Sequence, residues 1–264
     1  MSRGFLKKDN MLGNSLVDMY VKCGMVDKAL EVLEELPNRD VVTWSSLIGG
    51  YAQCGQCCVA INCFERMLSE GLSPNVVTFV CILKACTSIG AIDKGEEIHN
   101  FIASKGWVDR DIILGTALVD MYAKCGMLVK AQKVLEELSV RDVVCWSALI
   151  TGYAQQGQGY MALNCFDWMQ REGLSPNEVT LSCFLKACGS MGAIEKGEQI
   201  HAEIANNGLL EKNIVLATAL VDMYAKCGAL SKARKVHNEL PVRTVASWNA
   251  LIAGYAQEGQ IKKS

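Results

Sequence analysis

Three tryptophans, Trp44, Trp146 and Trp248, recur at intervals of 102 residues, and the letters around each are nearly the same. A chain that repeats itself this closely folds as copies of one unit, so the interval constrains the architecture more than any composition. TALVDMYAKCG at Thr116–Gly126 returns unchanged at Thr218–Gly228, and SLVDMYVKCG at Ser15–Gly24 is a third copy. Each is followed by a WSxLIxGYAQ-like segment, and the first two tryptophan segments are followed by one ending in LKAC (Leu83–Cys86, Leu185–Cys188). The interval is therefore a cycle of three related units of 31, 35 and 36 residues. Self-similarity at this period marks a solenoid, in which no unit buries its apolar face alone.

Within each unit the apolar residues fall on two helical stripes. Trp44, Leu47, Ile48 and Tyr51 sit at i, i+3, i+4 and i+7, and Ala60, Cys63, Phe64 and Met67 repeat the spacing. The short unit gives Leu118, Met121, Tyr122 and Cys125; the long one gives Phe79, Ile82, Leu83 and Cys86, then Gly95, Ile98, His99 and Ile102. Gly71, Gly106, Gly173 and Gly208 stand where second helices should stop, a position that favours positive φ. Thr43, Thr78 and Thr180, one residue ahead of the first apolar position, are the expected N-caps. No stretch alternates with period two. The expected fold is all-α, a superhelical solenoid of stacked helix-turn-helix repeats.

The remaining features narrow the chemistry. No run approaches the roughly 18 apolar residues of a membrane-spanning helix, and no signal or transit peptide is visible. A net charge of −2 gives no global basic field, so contact with nucleic acid has to use a local surface. Thirteen cysteines fall largely in register, as in Cys23, Cys125 and Cys227, Cys63 and Cys165, or Cys86 and Cys188. That pattern suggests small packing residues, not a disulfide framework.

Cys54, Cys57 and Cys58 form a CxxCC cluster, but the next cycle has Gln156, Gly159 and Tyr160 there, and a closed zinc site needs four ligands. His201 and Glu203 spell the first half of a zinc-deaminase signature whose second half, P-C-x-x-C, is missing downstream. His99 matches His201 in register, and both fall in an apolar stripe, as packed core histidines do. Gly157-Gln158-Gly159 lacks the preceding strand that a dinucleotide loop requires. No catalytic set, cofactor or metal is expected.

The cycle of lengths, with LVDMYAKCG, WSxLIxGYAQ and TFVCILKAC, resembles pentatricopeptide repeat proteins of the plant PLS subclass over about residues 2–260. The resemblance implies a right-handed superhelix with S motifs at 10–40, 112–142 and 214–244, P motifs at 41–75 and 143–177, and L motifs at 76–111 and 178–213. Residues 1–9 resemble the end of an L motif, and 245–264 a partial P motif lacking most of its second helix. It implies single-stranded RNA as ligand, one nucleotide per motif, read by the residue after the buried aromatic together with the motif's last residue. That residue lies about 100° from the aromatic, off the core stripe.

By resemblance, Asn14 with Asp40 reads uracil, Ser45 with Asn75 and Ser147 with Asn177 read adenine, and Thr116 with Asp142 reads guanine. Ser182 with Asn213 suggests adenine; Thr218 with Thr244 and Val80 with Asp111 fit no standard pair, and Asn249 has no partner. The second residue of each motif, Met11, Val42, Val77, Ile113, Val144, Val179, Val215 or Ala246, is expected to sandwich a base or to pack at a helix entrance. Lys22, Lys124 and Lys226 are expected phosphate contacts or solvated lysines.

The implied role is selection of an organellar transcript, mitochondrial or chloroplast, for C-to-U editing or processing. The chemistry would come from an editing deaminase or another editing factor in trans. Both ends lack polar capping repeats, which leaves room for end-to-end self-association. A helical scaffold for protein partners is the competing expectation.

Overall fold

A computed structural model describes residues 10–261, and Met1–Asp9 with the L-motif reading placed there lie outside the described residues. Described segments are helices and the turns between them. They form two compact units dividing after Val140. The first unit pairs α1 (Asn10–Lys22) with α2 (Val26–Glu35), α3 (Val41–Gln53) with α4 (Cys57–Ser69), α5 (Val76–Ile89) with α6 (Ile92–Ser104), and α7 (Ile112–Lys124) with α8 (Leu128–Glu137). The second pairs α9 (Val143–Gln155) with α10 (Gly159–Arg171) and α11 (Glu178–Met191) with α12 (Ile194–Asn206). There a one-turn helix, α13 (Leu209–Lys212), precedes α14 (Ile214–Lys226), which pairs with α15 (Leu230–Glu239), and α16 (Val245–Ile261) follows. This is the all-α stacked-hairpin architecture that the repeat predicts.

Within each unit the first helices of successive hairpins pack side by side, α1–α3–α5–α7 and α9–α11–α14–α16, and the second helices cover them. The stripe that faces the second helices is the apolar one. Trp44, Leu47, Ile48 and Tyr51 are buried, and so are Trp146, Leu149, Ile150 and Tyr153. Each tryptophan is also pinned by charge: Trp44 Nε1 donates to Glu70 at 3.1 Å while Arg39 reaches the same carboxylate at 2.6 Å. Trp146, Glu172 and Arg141 repeat the clamp at 2.8 and 2.6 Å.

The short motifs solve the packing differently. Where P motifs place tryptophan, two S motifs place Gly13 and Gly115, because Leu36 and Leu138 fill the space. A Cβ on Gly13 would meet Leu36 Cδ2 at 2.2 Å, and one on Gly115 would meet Leu138 Cδ2 at 2.3 Å. The leucine, C-cap of a ten-residue second helix, does the work of the aromatic in a hairpin that is several residues shorter.

Four sequence expectations need correction. The helices begin two residues ahead of Thr43, Thr78 and Thr180, so these are third helical residues, and the N-caps are Asp40, Asn75 and Asn177. Cys125 and Cys227 are half-buried helix C-caps and Cys23 is exposed, so this series does not pack in the core as Cys63, Cys86, Cys165 and Cys188 do. All thirteen cysteines are free. His99 and His201 are half-buried, with Nδ1 2.9 and 2.8 Å from the hydroxyls of Tyr122 and Tyr224. Burial holds both imidazoles below the ordinary histidine range and pushes both tyrosines up to about 12, so each pair is a neutral hydrogen bond. Finally, α16 runs as one helix through Gly259, whereas the equivalent Gly55 and Gly157 turn with φ of 76° and 72°.

Candidate nucleic-acid interface

The residue that ends each motif caps the helix that follows. Asp40 Oδ1 accepts from Thr43 N at 2.8 Å, and Asn75 and Asn177 Oδ1 accept from Thr78 N and Thr180 N at 2.9 Å. Asp111, Asp142 and Asn213 each hold two backbone N–H groups on Oδ1: those of Ile113 and Leu114, Val144 and Cys145, and Val215 and Leu216. Thr244 accepts one backbone N–H through its hydroxyl, that of Ser247 at 3.1 Å. A cap of this kind is worth about 0.5–2 kcal/mol. It also fixes chemistry: with Oδ1 occupied, an aspartate keeps Oδ2 as an acceptor, and an asparagine keeps Nδ2 as a donor. The amide cannot flip without losing the cap.

Three of the sequence-predicted pairs meet. Asn14 Nδ2 donates to Asp40 Oδ2 at 2.8 Å, Asn177 Nδ2 donates to Ser147 Oγ at 3.2 Å, and Ser45 Oγ lies 3.5 Å from Asn75 Oδ1. Ser182 and Asn213, or Thr218 and Thr244, share no hydrogen bond; Thr116 belongs to the first unit and Asp142 to the second. Burial pushes the Asp40 carboxyl upward, but hydrogen bonds from Thr43, Asn14 and Val42 outweigh it and hold Asp40 below the usual carboxylate range.

Ser45 and Ser147 do not project off the core as expected: they are only 5% and 7% exposed. Each hydroxyl donates back to the carbonyl four residues earlier, Val41 or Val143, and Ser45 Oγ also lies 2.6 Å from Thr78 Oγ1. Successive first helices approach closely here, and serine is small enough to sit in the seam. Thr116 is half-buried, with its Oγ1 enclosed and without a hydrogen-bond partner. Val80, Ser182 and Thr218 are half-buried, and Asn249 is exposed. What the serines leave accessible is the capping amide beside them, not their own hydroxyl.

The second residues form the open part of this surface. Val42, Val77, Ile113, Val144, Val179 and Val215 are 53–63% exposed, Met11 is 80% exposed, and Ala246 is also exposed. Packing at a helix entrance would bury them. In the second unit, Ser182, Val215, Thr218, Ala246 and Asn249 line a single groove together with Lys186. In the first, a groove is lined by Gln53, Cys81, Lys84, Asp120 and Lys124.

The expected phosphate lysines have a competing partner. Lys22, Lys124 and Lys226 each pair with the aspartate one turn earlier, Asp18, Asp120 and Asp222, at 2.7–2.8 Å. Among the described residues no group of three or more His, Cys, Asp or Glu is placed to hold a metal. No described helix is long and apolar enough to cross a membrane.

A sequence profile described as the PPR repeat family matches residues 39–88 and 141–190. A second, described as PPR repeat, matches 14–41, 116–143, 215–244 and 246–264. The chain belongs to the pentatricopeptide repeat family. Among curated pentatricopeptide repeat-containing proteins of Arabidopsis thaliana, a mitochondrial one is 38% identical over 258 residues, 97% of this chain and 40% of the relative. A chloroplastic one is 39% identical over 254 residues, 96% of this chain and 41% of the relative. This chain thus spans about two fifths of the length of those relatives.

Two solved pentatricopeptide structures share the fold. One is PPR10 in complex with an 18-nt psaJ RNA element, with a TM-score of 0.77, 19% identity, and coverage of 95% of this chain and 38% of that one. The other is PPR10 from maize, with a TM-score of 0.65, 21% identity, and coverage of 91% and 36%.

Proposed function

We propose that this pentatricopeptide array binds single-stranded RNA at one nucleotide per motif and selects an organellar transcript for C-to-U editing or processing. The observation that carries this reading is the row of motif-final caps. Because the cap consumes Oδ1, Asp40, Asp111 and Asp142 offer an acceptor, which suits the ring N–H of uracil or guanine. Asn75, Asn177 and Asn213 offer donors, which suit the bare ring nitrogen of adenine or cytosine. Position 5 then refines the choice within each class, Asn14 toward uracil, Thr116 toward guanine, Ser45 and Ser147 toward adenine. The exposed branched residues, Val42 to Val215, supply apolar surface against which base faces can lie.

The target reads 5′-U-A-N-G-A-(A)-N-3′, parallel to the chain, with the array supplying recognition and a deaminase or processing enzyme acting in trans. Support comes from the RNA held by PPR10, a protein of the same fold, and from the mitochondrial and chloroplastic relatives. The test is a gel shift with 5′-UAUGAAU-3′ against a scrambled oligomer of the same composition. Tighter binding of the first is expected; equal binding refutes base reading.

A protein-binding scaffold, or end-to-end pairing of copies, is the second reading. The exposed Trp248, Ile252 and Tyr255 of α16 favour it. In that case the oligomers would compete with nothing, and the array would sediment as a complex in their absence.

A further inference from the structure

We propose that the two L motifs hold the RNA backbone through Lys84 and Lys186, and that the S-motif lysines contribute little to phosphate contact. The inference rests on the RNA-binding reading above and adds a second duty to the L motifs: besides their motif-final caps, they position the strand.

The two lysines share one register, each the lysine of an LKAC segment on the first helix of an L motif, α5 or α11. Each follows position 5 of its motif, Val80 or Ser182, by four residues, so it lies on the same helix face about one turn onward, about 6 Å along the axis. Lys186 lines the very groove that holds Ser182, Thr218 and Asn249, and Lys84 lines the first unit's groove with Gln53 and Lys124.

Their charge is the available one. Both are exposed, and among the described residues neither ammonium has an ion pair or hydrogen bond. In the same grooves Asp120 is matched by Lys124 and Asp222 by Lys226. Those pairs are neutral overall, which leaves Lys84 and Lys186 as the net positive charge on each groove wall. A phosphate approaching Lys124 or Lys226 has to compete with the aspartate already bound to that ammonium; one approaching Lys84 or Lys186 has no ion pair to break, and the groove carboxylates, Asp120 and Asp222, are already paired.

The L motifs lose little by this role. Val80 has no hydrogen-bonding group with which to choose a base. Phosphate contacts fix register without carrying sequence information, and base contacts carry it.

The experiment is the salt dependence of binding to 5′-UAUGAAU-3′ and to its scrambled counterpart. The proteins compared are the full chain, Lys84→Ala, Lys186→Ala, the double variant, and Lys124→Ala with Lys226→Ala. For single strands each phosphate contact adds about 0.7 to the steepness of log affinity against log salt. Lys84→Ala and Lys186→Ala should each flatten the slope by about 0.7, weakening both oligomers equally and leaving their ratio unchanged. Lys124→Ala with Lys226→Ala should leave the slope near that of the parent. Because Lys84 and Lys186 are exposed and unpaired among the described residues, the melts of their variants should overlay the parent's, and that of Lys124→Ala with Lys226→Ala should fall only slightly below it. A parent slope retained after Lys84→Ala and Lys186→Ala overturns the lysine assignment alone. Parent protein that binds both oligomers equally, but with the lysine effects intact, overturns base reading alone, and failure to bind either oligomer overturns both.

Discussion

The first helices of this array present two stripes with opposite habits. On α3 and α9, the stripe facing the second helices keeps tryptophan, leucine, isoleucine and tyrosine in both cycles and buries all of them. The position-5 row changes from motif to motif, Asn14, Ser45, Val80, Thr116, and is flanked by exposed apolar residues such as Val42 and Val77. One stripe stores stability; the other varies in kind, within the size that the seam between first helices allows. The α16 helix isolates the cause: it repeats the α3 pattern, yet Trp248 is 49% exposed where Trp44 is fully buried. Burial therefore belongs to the hairpin: without a second helix over it the aromatic keeps chiefly its ring contact with His237, at 4.4 Å between centroids.

Substitutions can break this contrast, and the largest effect should come from the covered stripe. Trp44→Ala removes a filled core position and its bond to Glu70, and should cost about 3–5 kcal/mol. Trp248→Ala should cost under about 1 kcal/mol, because its side chain is half in water already. Chemical denaturation of the two variants checks this, and similar losses would erase the distinction between the stripes.

The caps join the two stripes, so their effect is intermediate. Asp40→Ala should destabilise by about 1 kcal/mol, and Asp40→Asn by less at neutral pH, since asparagine keeps the cap and loses only the bond from Asn14. The folded Asp40 titrates below its unfolded value, so its contribution is present above the ordinary carboxylate range and is lost as pH falls through the lowered one. Melts from pH 7 down to 2 should show a shallower acid loss in Asp40→Asn than in the parent. Parallel curves would mean that the cap has no ionic component.

Changes confined to the inner surface should spare stability. Val42→Ala should leave the melt unchanged and weaken every RNA sequence alike by about 1 kcal/mol, under the roughly 1.6 kcal/mol of two fully buried methyl-sized groups because a base face covers only one side. An effect on only one sequence would make Val42 a base reader instead. Smallest of all, Lys124→Ala opens an exposed pair with Asp120 one turn away and should cost about 0.3–0.5 kcal/mol in thermal stability.

Much of this was legible in the letters because helical hairpins are local. The apolar spacings placed α3 and α4 before any contact was known, and the positive φ of Gly71 and Gly106 followed from where second helices had to stop. The caps were misplaced because α3 and α5 open on two valines, the second of them exposed, and α11 opens on Glu178 and an exposed valine. An apolar pair ahead of Thr43 hides a helix start that Asp40 governs. Burial of Ser45 and Ser147 depends on how closely neighbouring first helices approach, which no single motif encodes.

The His99–Tyr122 and His201–Tyr224 bonds join adjacent motifs, each across 23 residues, beyond the range of helical periodicity. The proposed Lys84 and Lys186 contacts have a legible signal, four residues after position 5, but the thrice-repeated Lys22, Lys124 and Lys226 give a louder one, although each has an aspartate at i−4.

The claim beneath all of this is that a cap's unused atom chooses the base. Asp142→Asn tests it most directly, since asparagine keeps the bonds from Val144 and Cys145 and exchanges only an acceptor for a donor. Binding should be measured on four oligomers, 5′-UAUGAAU-3′ and those with A, C or U at the fourth base. The account predicts that preference there moves from G to A by about 1–3 kcal/mol, with the other positions and the melt unchanged. An unaltered order of the four bases would contradict it.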